Sequence, residues 1–216
     1  MQADSALVRA WADGWAISRG TPAPIEVPEG YRIDVGLPGH LTRYVLPTHT
    51  PALASRLTAT DTWLKICADP ATVQLDARWQ VQPVEYLMSV RLTGEAPVVR
   101  TGYELQTSQV GDLVGVVITS EGGLAARGQA AISGHYAVVD QVITEPDHQR
   151  RGLGTTVMRA LSRAATRSGA STGVLVATED GSQLYTRLGW VLASEVIAAR
   201  LCAPRCPESR EAPPRG

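Results

Sequence analysis

The residues whose types and spacing could do chemistry lie at Gln149-Arg150-Arg151-Gly152-Leu153-Gly154. Two glycines at the mouth of a helix let backbone N–H groups come within reach of an anion. The helix dipole adds roughly 0.3–2 kcal/mol of attraction for that anion. Paired arginines beside the glycines supply charge-assisted, forked donors. The stretch therefore points to a phosphate-bearing ligand. A Walker A signature, Gly-x4-Gly-Lys-Ser/Thr, is absent. A dinucleotide fingerprint would need a third glycine within a series of βαβ units. Here that position is Val157, and the preceding strands are hairpin-linked. A structural tight turn without ligand is the remaining alternative, and paired arginines are an odd choice for one.

The elements that must position this loop follow from periodicity. Tyr136–Thr144 reads as the strand leading in and Gly152–Ser168 as the helix leading out. Leu153, Val157, Ala160, Leu161 and Ala164 form the helix's apolar stripe, with Arg159, Arg163 and Arg167 opposite and Gly169 as the stop. The run 173–178 reads as a buried strand, parallel to 136–144 because a helix separates them. A short helix over 181–188 and a strand over 190–201 follow. Strands at 103–110, 113–119 and 124–133 precede the loop, with Glu121-Gly-Gly123 as a hairpin turn. In the first half, 4–19 reads as a helix capped by Asp4 or Ser5 and ended by Gly20 and Pro22. Its Trp11 and Trp15 either pack on a sheet or wall a ligand. A hairpin over 31–36 and 41–46, a short helix at 51–57, a strand at 62–67, a second short helix at 70–77 and a long strand or broken pair over 79–92 complete it.

The two halves resemble each other. Thr62–Asp69 through Trp79 to Leu92 echoes Thr172–Glu179 through Trp190 to Leu201. A degenerate repeat and chance likeness of two β-α-β units both fit. Where the second half has its glycine loop, the first has Leu46-Pro-Thr-His-Thr-Pro51. Two prolines and no glycine offer no comparable row of N–H donors, so only the second half is expected to bind the anion.

Composition narrows the class. The chain has 216 residues and a formal net charge of −1, which recruits neither nucleic acid nor an anionic membrane. Lys65 is the sole lysine among 20 basic residues, and there is no phenylalanine. No apolar run is long enough to span a bilayer. Met1–Ser5 lacks a signal-peptide pattern, and three cysteines argue for a reducing cytoplasm. Cys202 and Cys206 lack partners at zinc spacing and read as incidental thiols, so no metal is expected.

At Gln149–Gly154 the chain resembles the GNAT superfamily of acyl-CoA-dependent N-acetyltransferases, whose motif Gln/Arg-x-x-Gly-x-Gly/Ala is matched at every fixed position. Glu145-Pro146-Asp147 before it and Leu184-Tyr-Thr-Arg-Leu-Gly-Trp190 after it are similar to that family's pattern too. The resemblance covers about 103–200. It implies an α/β (α+β) fold: a mixed, mostly antiparallel sheet with a splayed parallel strand pair, plus a smaller α/β N-terminal half of similar topology. It implies acetyl-CoA as co-substrate, with Val142, Ile143 and Thr144 pairing with the pantetheine amides. Gln149, Arg150, Arg151, Gly152, Leu153, Gly154 and Thr155 would cradle the pyrophosphate, and Thr178 would touch the cofactor arm. Tyr185 matches the family's general acid; a buried core tyrosine is the alternative. Asp140, two residues before Val142, is the candidate base or else a hydrogen-bonded strand carboxylate.

The chain departs from the family in one respect. Gly111-Asp112 alone joins strands that two helices usually separate, and those helices form much of the acceptor wall. Residues 1–95 are then expected to be a degenerate GNAT-like domain supplying that wall, 96–202 the catalytic domain and 203–216 a disordered tail. The function expected is acetyl transfer to a primary amine by direct attack, in the cytoplasm, by a monomer or homodimer. Another acyl donor, an oxygen acceptor, or a non-catalytic acyl-CoA-binding module are the alternatives.

Overall fold

The computed structural model describes residues 3–202; Cys206 and the expected tail lie outside them. One twelve-stranded sheet runs through both halves of the chain. In chain order the elements are α1 (Ser5–Arg19), β1 (Ile25–Val27), β2 (Gly30–Leu37), β3 (His40–Leu46), α2 (Pro51–Arg56), β4 (Thr62–Cys67), β5 (Trp79–Val81) and β6 (Glu85–Arg91). The second half adds β7 (Glu104–Val110), β8 (Leu113–Ser120), β9 (Gly123–Ser133), β10 (Tyr136–Thr144), α3 (Leu153–Arg167), β11 (Thr172–Ala177), α4 (Glu179–Arg187) and β12 (Val191–Leu201).

The sheet order is β1-β2-β3-β4-β12-β6-β11-β10-β9-β8-β7, with β5 also on β12. Around the antiparallel β12–β6 pair the sheet reads the same outward in both directions. Each way there is an antiparallel neighbour, then a parallel pair, then an antiparallel hairpin. The last strand of each half lies on the other half's side of this centre: β6 is seated against β11, and β12 against β4. The two parallel pairs differ. The β3–β4 ladder holds through five positions, Thr42–Leu46 against Thr62–Ile66. The β10–β11 ladder holds through three, ending at Val138 and Val174.

Side chains of successive strand residues point to opposite faces, and the two faces carry different helices. Val138 and Val174 pack in one core with Val8, Trp11, Ala12 and Trp15 of α1. Ala137, Val139, Leu175 and Ala177 pack in another with Leu153, Val157 and Leu161 of α3 and with Tyr185. So Trp11 and Trp15 lie against the sheet. The Asp4 side chain accepts the Ala6 N–H at the start of α1, and Gly20, at φ 63°, closes its end. The helix α3 lies close on the sheet because Gly128 of β9 has no side chain; a Cβ there would stand 2.7 Å from Val157 Cγ1.

One sequence expectation is corrected and one open alternative is decided. Residues 70–77 form only a 3-10 turn at Pro70–Thr72, because the apolar residues there, Val73 and Leu75, are spaced by two and make no helical stripe. The 79–92 strand is a broken pair, interrupted at Gln82–Val84 around Pro83.

Gly14 fixes the seat of α1 on the sheet. A Cβ there would lie 2.2 Å from Val138 Cγ2. Gly14→Ala gains about 1 kcal/mol of helix propensity but forces overpacking that typically costs about 1–3 kcal/mol, and the clash with a fully buried β10 residue is expected to win. Thermal melting should show a lower Tm for the variant; an unchanged or higher Tm would contradict this packing.

Candidate active site

The gap between β10 and β11 is built by one irregularity. Pairing of β10 with β9 shifts register between Asp140 and Ile143, and Gln141 sits at φ 55°, a left-handed conformation uncommon for a residue with a side chain. Asp140 stabilises it: Oδ1 accepts the Gln141 N–H at 2.9 Å. The same carboxylate takes both forks of Arg19, at 2.6 and 3.0 Å, and the Ser18 hydroxyl at 2.7 Å. Gln129 of β9 donates to the Ser18 carbonyl and Oγ, both at 2.7 Å. The end of α1 is thus tied to the bulge. Beyond Val138, the β11-facing edge of β10, which includes Val142, Ile143 and Thr144, has no strand partner among the described residues. Burial works against the Asp140 charge, but the Arg19 and Ser18 hydrogen bonds outweigh it and hold the carboxyl below its ordinary range.

The glycine loop follows. Arg150 (φ 58°) and Gly152 (φ 80°) are both left-handed, and Gly152 caps α3 without a side-chain bond. The first N–H groups of α3, at Leu153, Gly154 and Thr155, therefore meet no capping side chain. The Leu153 side chain is buried, so only its backbone is available. The Gln149 amide reaches the Thr144 carbonyl at 3.4 Å, and the Arg100 guanidinium donates to the Arg151 carbonyl at 3.0 Å. Arg151 in turn donates to the Tyr103 hydroxyl at 3.1 Å, which also contacts His148 Nδ1 at 3.1 Å. A cavity of about 340 Å³ lies over the loop, lined by Arg100, Arg150, Arg151, Arg159, Gly152 and Thr155 among others. Four guanidiniums with no carboxylate in the lining suit a polyanion such as a pyrophosphate.

Tyr185 and Thr178 come from the other side of the gap. Thr178 caps α4, its hydroxyl accepting the Gly181 N–H at 3.3 Å. Tyr185 is 9% exposed, with its ring 6.0 Å from Trp190. Burial, and secondarily the Asp140 charge, push its phenol up to about 12. Cys67 is buried in the α1-side core, and burial pushes its thiol up to about 12.

Two cavities meet beside the gap. The smaller, about 190 Å³, is bounded by Val138, Val139, Asp140 and Val176 and walled by Trp11 and Trp15. The larger, about 590 Å³, is lined by His40, Trp63, Thr178, Glu179 and Asp180 among others. Arg43, Lys65 and Glu85, all from the first half, line both. Lys65 pairs with Glu85. The Arg43 guanidinium lies 3.8 Å over the Trp15 ring and donates from Nε to His40 Nε2 at 3.3 Å. Burial first, then the neighbouring Arg43, Lys65, Arg19 and Arg200, lower the His40 imidazole to about 4.

Sequence reasoning did not single out Arg19, His40, Arg43, Lys65 or Glu85. The available signal was polarity on a core face. Arg43 shares the inward face of β3 with Val45, and Lys65 sits between Leu64 and Ile66.

The depressed His40 has a pH consequence. The unfolded imidazole takes its proton near 6.5, the folded one near 4. As pH falls through that window the unfolded chain binds more protons, so stability is lost; above about 6.5 the effect vanishes. Melting curves at pH 7.5 and 5.0 should show a larger drop in Tm for wild type than for His40→Asn; equal drops would contradict the burial of a neutral imidazole.

Comparison with known proteins agrees with the geometry. Residues 111–192 match the family described as Acetyltransferase (GNAT) domain. A GNAT-family protein from Novosphingobium aromaticivorans has a similar structure over 93% of this chain and 99% of its own, at 17% identity and a TM-score of 0.59. A GCN5-related N-acetyltransferase from Sphaerobacter thermophilus is similar over 92% and 94%, at 13% identity and a TM-score of 0.56. A tandem GNAT protein from the clavulanic acid biosynthesis pathway is similar over 64% and 62%, at 12% identity and a TM-score of 0.52. No curated protein matches the sequence. Residues 111–192 thus match a GNAT acetyltransferase domain, and the chain takes the fold of the GCN5-related N-acetyltransferases.

Proposed function

We propose that the protein transfers an acetyl group from acetyl-CoA to a primary amine by direct attack. The observation that carries this is the parting of β10 from β11 after Val138 and Val174, next to an arginine-lined helix mouth. An extended amide-bearing arm can add to a free strand edge, and β10 has such an edge from Val139 to Thr144. The phosphates at the arm's other end suit the N–H groups of Gly152–Thr155 and the guanidiniums of Arg150 and Arg151. The thioester then lies in the gap, near Tyr185 and open to the two cavities, the larger of which Thr178 lines.

The amine nitrogen attacks the thioester carbonyl, the C–S bond breaks, and the sulfur leaves as a thiolate that solvent then protonates. Tyr185 is the hydrogen-bond donor we assign to that sulfur. At about 12 its phenol stays protonated at every working pH. Full transfer to a thiolate of pKa near ~8.5 is uphill by about 5 kcal/mol, so Tyr185 acts by hydrogen-bonding the sulfur while charge develops. The buried, high-pKa Cys67 is a poor nucleophile, which favours direct attack over an acyl-enzyme. An alkylammonium of pKa near ~10.4 costs about 4–5 kcal/mol to deprotonate at pH 7. Asp140 is ill suited to that task, since Arg19, Ser18 and the Gln141 N–H already occupy its oxygens. We assign it to holding the bulge, and route the proton through water to Asp180, which lines the larger cavity beside Glu179, whose Oε2 accepts the Tyr86 hydroxyl at 2.9 Å. We further propose that residues 1–95 act as the acceptor wall and 96–202 as the catalytic domain. The supporting fact is that Trp11, Trp15, Arg43, Lys65 and Glu85 all face the gap-side cavity.

A calorimetric titration with acetyl-CoA, followed by a thiol-release screen across amine classes, tests the reading. Tyr185→Phe should bind acetyl-CoA within about threefold of wild type and lose roughly 100-fold in kcat. Asp140→Asn should lower stability by about 1–3 kcal/mol without moving the acidic limb of the pH–rate profile. Undiminished thiol release in the Tyr185 variant overturns the donor assignment. A lost acidic limb at unchanged Tm makes Asp140 the base after all. Acetyl-CoA binding with no thiol release for any acceptor leaves a binding module instead of an enzyme.

A further inference from the structure

One cation in the cavities beside the gap has no direct ion pair among the described residues. Arg19 is matched by Asp140 and Lys65 by Glu85. His40 is neutral, its imidazole lowered to about 4. Arg43 is 8% exposed, and among the described residues it has no carboxylate within salt-bridge distance. Its Nε is taken by His40, and one face of the guanidinium is taken by Trp15. Those two contacts fix the plane of the fork and leave the Nη groups without a protein acceptor among the described residues. Arg43 lines both cavities, including the one that opens at Val139, Asp140 and Val176. Burial lowers the guanidinium only to about 10, so it remains charged at neutral pH.

A buried guanidinium without a counter-ion is costly, and a planar fork held in place is the arrangement that recognises a carboxylate through two parallel hydrogen bonds. Trp15 and His40 suit it further: they order the side chain before a ligand arrives, so less rotamer freedom is lost on binding. Glu179 and Asp180 also line the larger cavity. Acidic and basic groups in one cavity suit a ligand of both charges.

We infer that the acceptor is a small amine that also carries a carboxylate, an amino-acid-like zwitterion, with its carboxylate on the Nη groups of Arg43 and its amine toward the gap. This rests on the acyl-transfer reading above and names the substrate class for that site. Arg43 would thus determine specificity from the first half of the chain while the second half binds the acyl donor.

The test uses the full chain and matched acceptor pairs: amino acids against their primary amides, methyl esters and decarboxylated amines. Thiol release with acetyl-CoA should favour the carboxylate member by about 100-fold in kcat/KM, chiefly through KM. In Arg43→Gln that ratio should fall to within about threefold, while titration shows acetyl-CoA still bound. If acyl transfer is robust but wild type treats acid and amide alike, the inference fails and the proposed function stands. The same holds if the preference survives in Arg43→Gln. If no acceptor releases thiol, thermal shifts with the same free amino acids decide. An increase in Tm seen in wild type and lost in Arg43→Gln supports the carboxylate site while the transferase reading falls; no such increase overturns both. Should Arg43→Gln fail to fold, the wild-type acid-to-amide ratio still decides.

Discussion

The bulge at Gln141 depends on a single carboxylate with four donors around it. Asp140 accepts the Gln141 N–H of its own strand, the Ser18 hydroxyl and two nitrogens of Arg19. A left-handed non-glycine residue costs of order 1–3 kcal/mol, and this cluster offsets that cost. Because the bulge turns β10 away from β11, the ladder ends at Val138 and Val174. The free strand edge and the small cavity at the gap follow from that ending. The first half shows what happens otherwise. Its parallel pair, β3 and β4, has no such bulge within the paired run and stays closed over five positions.

The same cluster joins the two halves. Arg19 and Ser18 belong to α1, so the gap in the second half is held open by a helix from the first. The sheet adds a second link, since β6 lies between β11 and β12. The strand that backs β11, on the side away from the gap, is therefore N-terminal material. Arg43, Lys65 and Glu85 enter the cavities along this route. Removing the first half would strip β11 of a neighbour as well as removing a wall.

Much of the fold was legible because its signals are local. The strand, glycine loop and helix over 136–168 follow from periodicity and from Gly152, whose φ of 80° is one that glycine tolerates. The parallel orientation of β10 and β11 follows from the helix between them. What was not legible depends on distant pairing. No spacing rule places β6 beside β11 across more than eighty residues, or Arg19 on Asp140. The residues lining the cavities were missed for the same reason. Arg43 and Lys65 stand at core positions of ordinary-looking strands, and their pairing or lack of it appears only once β3, β4 and β6 are brought together. Asp140 was visible as a strand carboxylate two residues before Val142, but its occupied oxygens were not.

Hydrogen exchange with and without acetyl-CoA tests the central claim most directly, that the break between β10 and β11 is where the acyl donor lies. Backbone amides over 141–145 and 150–156 should exchange more slowly when acetyl-CoA is present, while those of 46–51, the counterpart loop of the first half, should not change. Saturating acetyl-CoA with no protection in the two second-half segments, or with equal protection at 46–51, would contradict the account.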